Sequence, residues 1–166
     1  MRQRRAWLLA LVLAALFCGF SGWTYARTQA DDDLAHARDR DVALAEARRH
    51  IGTLNSMDGH DVRASLRAWT DAADGPLKDE LRRTGDDSAK VLEQEGTSTR
   101  ATVTDAALTA LDARAGTAKA IATVRVEVTE RTGRSTTDRK RFEAGLKHTG
   151  ESWKLSSLTA LAAGSR

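Results

Sequence analysis

Residues 118–128 read AKAIATVRVEV, with Ala118, Ala120, Ala122, Val124, Val126 and Val128 alternating with Lys119, Ile121, Thr123, Arg125 and Glu127. A period of two points successive side chains to opposite faces, so the stretch predicts a half-buried strand with one small apolar face and one mostly polar face. Upstream, Ser98 to Leu111 supplies Val103, Ala107 and Leu111 for a second strand, and Asp112 to Gly116 forms the connecting turn. Downstream, Arg131 to Arg134 turns the chain at Gly133, Phe142, Ala144 and Leu146 alternate with Arg141, Glu143 and Lys147, and Thr149-Gly150 leads to Trp153, Leu155 and Leu158. Four strands with short turns predict an antiparallel meander.

Before Gly96 the period is that of helices. Leu34, Ala37, Leu44, Ala47, Ile51 and Leu54 recur at three- and four-residue steps between Asp31 and about Met57. Val62, Leu66, Trp69 and Ala73 form a second stripe behind a capping Asp61. Pro76 opens a third helix in which Leu77 and Leu81 mark the buried side, Gly85 threatens a kink and Gly96 ends the segment. Helices followed by a meander predict an α+β fold, about three helices covering one face of a curved four-stranded antiparallel sheet. The predicted core comprises Leu44, Ile51, Leu66, Trp69, Leu77 and Leu81 from the helices, and Val124, Val126, Phe142, Leu146, Trp153 and Leu155 from the strands.

The N-terminal region has a different character. Ala6 to Tyr25 carries no charge, a length that matches one helical crossing of a roughly 30 Å hydrocarbon layer. Trp7 stands at one end and Trp23 with Tyr25 at the other, where amphipathic rings favour the headgroup layers. Arg2, Arg4 and Arg5 precede the run and Asp31, Asp32 and Asp33 follow it, so the positive-inside bias predicts a cytoplasmic N-terminus and an extracytoplasmic domain. The span and its aromatics favour a retained anchor at the cell membrane. The alternative is a signal peptide with an apolar region from Trp7 to Phe20, cleaved after Thr24-Tyr25-Ala26 to leave a secreted domain. The predicted organisation is residues 1–5 cytoplasmic, 6–26 transmembrane, 27–43 helical stalk, 44–162 α+β domain and 163–166 tail.

Charge follows this division. The chain's net charge of +3 includes Arg2, Arg4, Arg5 and Arg27 around the apolar run, which leaves 22 bases against 23 acids in the exported part, a net of −1. The one dense basic run there, Arg139, Lys140 and Arg141, falls on a strand that sends alternate side chains to opposite faces, so no nucleic-acid partner is expected. Cys18 is the only cysteine and lies in the apolar run, which excludes an internal disulfide and a thiolate metal site. His36, His50, His60 and His148 show no ligand spacing, the only tyrosine is Tyr25, and no nucleophile elbow, dinucleotide fingerprint or P-loop occurs. Neither enzymatic activity nor a cofactor is expected.

Three stretches carry a family resemblance: MDGHDVRASLRAWTDAADGPLKDELRR at 57–83, VTDAALTALDARAGTAKAIATVRVEV at 103–128 and ESWKLSSLTAL at 151–161. With the single span before them, they resemble the Mce-associated membrane proteins of actinobacterial envelopes. The resemblance implies a nuclear-transport-factor-2-like (NTF2-like) cone and an accessory or scaffold role beside Mce (mammalian-cell-entry) importers of lipids or sterols. Two other roles suit such a cone: a small-molecule or lipid binder using its hollow, and an assembly component of a type IV secretion-like complex. The small alanines of 118–122 either leave space for a ligand or let a helix pack close, and the sequence does not choose.

Overall fold

The structure, a computed structural model, describes residues 34–150 and 152–162. Helix α1 occupies 34–54, α2 Val62–Ala72 and α3 Gly75–Glu95, followed by β1 Ser98–Asp112, β2 Thr117–Thr129, β3 Ser135–Thr149 and β4 Ser152–Leu161. The strands form one antiparallel sheet in the order β1-β2-β3-β4. The fold class is thus the expected α+β meander. Among the described residues no helix is long and apolar enough to cross a membrane. Arg2, Arg4, Arg5, Trp7, Trp23 and Tyr25, the expected anchor, lie outside the described residues.

The described residues from Arg40 onward make up one compact unit. Its main core lies between α1 and one face of the sheet, with Ala43, Ala47 and Ile51 from the helix meeting Ala118, Ala120, Ala122, Val124, Val126, Phe142, Ala144, Leu146, Trp153 and Leu155. Packing begins at Ala43, inside the stretch read as stalk, whereas Leu44 is only half-buried. Alanine faces alanine here because the helix backbone lies close against the sheet.

On β2 the inward face is the one the alternation predicts. On β1 it is not: Thr104 and Thr109 fall at two register shifts, so Val103, Ala106, Leu108 and Leu111 share the inner side while Ala107 is exposed. Each extra residue reverses the phase of the side chains after it, and a simple period of two fails. The Thr104 and Thr109 hydroxyls donate to the carbonyls of Thr123 and Lys119, at 3.2 and 3.3 Å. Bulges also bend a strand.

A second, smaller cluster joins Met57, Val62 and Ala89, with Leu66, Trp69 and Leu92 half-buried against it. Leu66 and Trp69 were expected in the core but sit in this satellite, where Trp69 Nε1 donates to the Ser56 carbonyl at 2.8 Å. The linkers before and after α2 are tied to the sheet. Met57 and Thr99 exchange two backbone hydrogen bonds of 2.8 Å, and Asp74 N donates to the Leu155 carbonyl at 2.8 Å. At Gly59 a Cβ would sit 2.8 Å from the Gly96 carbonyl carbon and the Thr97 oxygen, so only glycine fits where the linker before α2 crosses the one between α3 and β1.

Candidate functional site

The first place to look for a ligand in such a fold is between α1 and the sheet. Ala43, Ala47, Ile51, Ala120, Val124, Ala144 and Leu155 have no accessible surface at all. A space that could hold one water molecule would expose its lining, so no such space borders these residues of α1 and the sheet. The alanines let the helix pack closer; they do not line a hollow.

One polar group is trapped at the edge of this core. His50 is 3% exposed, lying on the 43–47–50–54 stripe of α1, and its Nδ1 has no hydrogen-bond partner. Its Nε2 is 3.1 Å from Glu46 Oε2 and 3.2 Å from Arg49 Nη2, while Arg49 reaches the same Glu46 oxygen at 2.6 Å. Burial, then the neighbouring Arg49 charge, lowers the His50 pKa below its ordinary 6.5, against the pull of Glu46 and of the Trp153 backbone. The Trp153 backbone favours the charged ring without completing a bond to Nδ1. A neutral imidazole there can give its proton to Glu46 or accept from Arg49, and either choice leaves one ring position poorly served.

A groove of about 730 Å³ lies on the helical side, between α2 and α3. Local sequence explains why α2 and α3 run side by side. Asp61 accepts from Ala64 N at 2.9 Å and starts α2; Gly75, at φ 56°, with Pro76 starts α3. The Asp74 side chain caps nothing, because its Oδ2 accepts from Thr149 Oγ1 at 2.9 Å, a bond that also lowers the Asp74 pKa. Gly96, at φ 61°, ends α3 by donating its N–H to the Leu92 carbonyl.

Arg63, Leu66, Arg67, Thr70 and Asp71 stand at i, i+3, i+4, i+7 and i+8, one face of α2, and form one wall. From α3 come Leu81, Arg82, Gly85, Ala89 and Lys90. Leu81, expected in the core, is instead half-buried and packs against neither cluster. Its neighbour in the prediction, Leu77, does pack on the main core, although half-buried. The reason is geometric: α3 meets β4, with Leu77 near its N-terminus on the main core, and then runs beside α2. Gly85 does not break α3, which continues through it for 21 residues. One end of the groove is bridged by Arg63 Nε to Glu93 Oε1 at 3.2 Å, an exposed pair of little energetic weight.

Among the described residues no group of three or more His, Cys, Asp or Glu side chains is placed to hold a metal. Arg139 and Arg141 share one face of β3 and Lys140 takes the other, and all three are exposed. Arg139 stands directly opposite Arg125 of β2.

The family model described as "Uncharacterized protein Rv1363c/MT1408-like" matches residues 5–159. The chain belongs to the Rv1363c/MT1408-like family. That family's description makes no mention of Mce transporters. No curated protein matches this family member. Among solved structures, an IcmL-like type IV secretion system protein of Legionella pneumophila subsp. pneumophila str. Philadelphia 1 is 12% identical with a TM-score of 0.58, covering 74% of this chain and 94% of that one. CagV, a VirB8 homologue of the type IV secretion system of Helicobacter pylori strain 26695, is 8% identical with a TM-score of 0.58, covering 75% and 99%. A periplasmic fragment of TraM is 12% identical with a TM-score of 0.56, covering 72% and 94%. These likenesses are in fold, and the fold of this Rv1363c/MT1408-like protein is NTF2-like.

Proposed function

We propose that the chain is a non-enzymatic, single-pass envelope protein whose extracytoplasmic NTF2-like domain serves as an assembly subunit of a multiprotein membrane complex. The observation that carries this reading is the filled space between α1 and the sheet, where not even water fits against Ala47, Ala120 or Ala144. A fold with no interior chamber there offers partners its outer faces. Support comes from the likeness to secretion-system proteins and to a fragment named as periplasmic. The charge-free run from Ala6 to Tyr25 supplies the tether. Tethering raises the concentration of the domain near other membrane subunits, so contacts that are individually weak become effective.

Which complex is served is a finer question. The likeness to secretion-system proteins favours a secretion-type complex, whereas the Mce-type lipid or sterol importer rests on the sequence stretches alone.

Pull-down of the full-length protein in mild detergent, with mass spectrometry of proteins and lipids, tests the reading. Stoichiometric membrane subunits without stoichiometric lipid are expected, and the identity of the permease or ATPase recovered decides between import and secretion. Recovery of the protein alone, or of one lipid per chain, overturns the assembly role.

A further inference from the structure

We propose that the groove between α2 and α3 docks an acidic amphipathic helix of a partner protein. The inference rests on the assembly reading and names the surface and the chemistry of its partner.

The first support is a partly covered apolar floor, in which Leu66 and Leu81 are half-buried and Ala89 is buried. Leu81 lies in the groove and belongs to neither hydrophobic cluster, beside Leu66 and Ala89. The second is Gly85. Glycine inside a helix costs about 1 kcal/mol relative to alanine. A Cβ at this position would meet nothing within 4 Å, so the packing of this chain does not require glycine. What glycine does is lower the groove's floor and let another backbone approach closely.

The third support is charge. Among the described side chains, Arg63, Arg67, Arg82 and Lys90 line the groove with Asp71, and Arg63 also pairs with Glu93 at one end. Four cations spread along two helices suit a set of acids better than one small anion. Arg63 and Arg67 are one turn apart on α2, and Arg82 and Lys90 about two turns, roughly 12 Å, on α3. That spacing matches carboxylates on successive turns of a helix lying along the groove. The lining spans residues 63–71 and 81–90, again about 12–14 Å, enough for apolar anchors at i, i+3 or i+4, and i+7. A lipid chain is the poorer occupant, because half the lining is charged and the apolar floor offers only three side chains.

The test uses the full-length protein in the cells that make it, with p-benzoylphenylalanine replacing Thr70 on the rim. Light is expected to give an adduct whose mapped peptide carries acids and apolar residues at helical spacing. Gly85→Trp puts a large ring into the groove from a position where a Cβ meets nothing within 4 Å, so thermal stability should hold while the adduct falls about tenfold or more. The double reversal Arg67→Glu with Arg82→Glu should do the same. An adduct to lipid, to a second copy of this chain or to a basic or extended segment overturns the proposal. So does an adduct undiminished in Gly85→Trp, or none at all. If the pull-down recovers a complex and Thr70 gives no adduct, the groove fails and assembly stands. If the adduct forms as expected while no other membrane subunit co-purifies, the groove stands and the assembly role fails.

Discussion

The two helical contacts of this domain solve packing in opposite ways. Between α1 and the sheet, small side chains on both partners bring backbones together until Ala43, Ala47, Ala120 and Ala144 lose all exposure. Between α2 and α3, equally small residues, Gly85 and Ala89, border an open groove of about 730 Å³. Small residues therefore do not by themselves create or close a cavity. The difference lies in what faces them: from Ala43 on, α1 lies against the sheet, whereas α2 presents arginines and a threonine to α3. One contact is a finished core and the other a surface with one side missing.

Substitutions can break this contrast. The largest effect is expected for Leu155→Ala, which empties a fully buried site and should cost about 2–5 kcal/mol, against under about 1 kcal/mol for Leu81→Ala in the groove. Denaturant melts that show equal losses would erase the distinction. Gly59→Ala comes next. Its new methyl meets backbone, not a movable side chain, and should destabilise by about 1–3 kcal/mol. By contrast, Gly85→Ala should stabilise by about 0.5–1 kcal/mol, since the helix gains propensity and the methyl finds open space. A loss of stability there would mean that the groove is already filled.

The smallest effect concerns pH and sharpens the description of the closed core. His50 has its pKa lowered in the folded state, so the unfolded chain binds the proton more readily. Stability is then full above about pH 6.5 and falls as pH drops through the ordinary histidine range toward the lowered folded value. Denaturation midpoints between pH 5 and 7.5 should show that slope in the wild type and a flatter line in His50→Gln. A stability that rises on acidification would reverse the assignment and place His50 in a charged pair with Glu46.

Much of this was legible in the sequence, and the failures have physical causes. The alternation of β2 was readable because its inner face is continuous from Ala118 to Val126, and Trp153 and Leu155 stood out as large apolar residues near the end. Ala107 was misplaced because a bulge is a property of a pair of strands. Nothing in β1 alone says that Thr104 and Thr109 go unpaired against β2. His50 carried a signal that went unused, its place on the stripe through Ala43, Ala47 and Leu54. Its burial needs β4, which follows some hundred residues later. Leu81 has the right period for a core residue, but periodicity gives a helix a face without giving that face a neighbour.

By itself the sequence determined which segments are helix and which are strand, that the sheet is a meander, and that a charge-free run precedes an almost neutral domain. Those properties are local: they follow from side-chain period, glycine and proline at turns, and the distribution of charge along the chain. Only the tertiary structure decided that the alanines close the space under α1, that two threonines shift the phase of β1, and that Leu81, Gly85 and four cations line one groove. Such outcomes depend on distances between residues far apart in the chain, and these are settled when the elements pack.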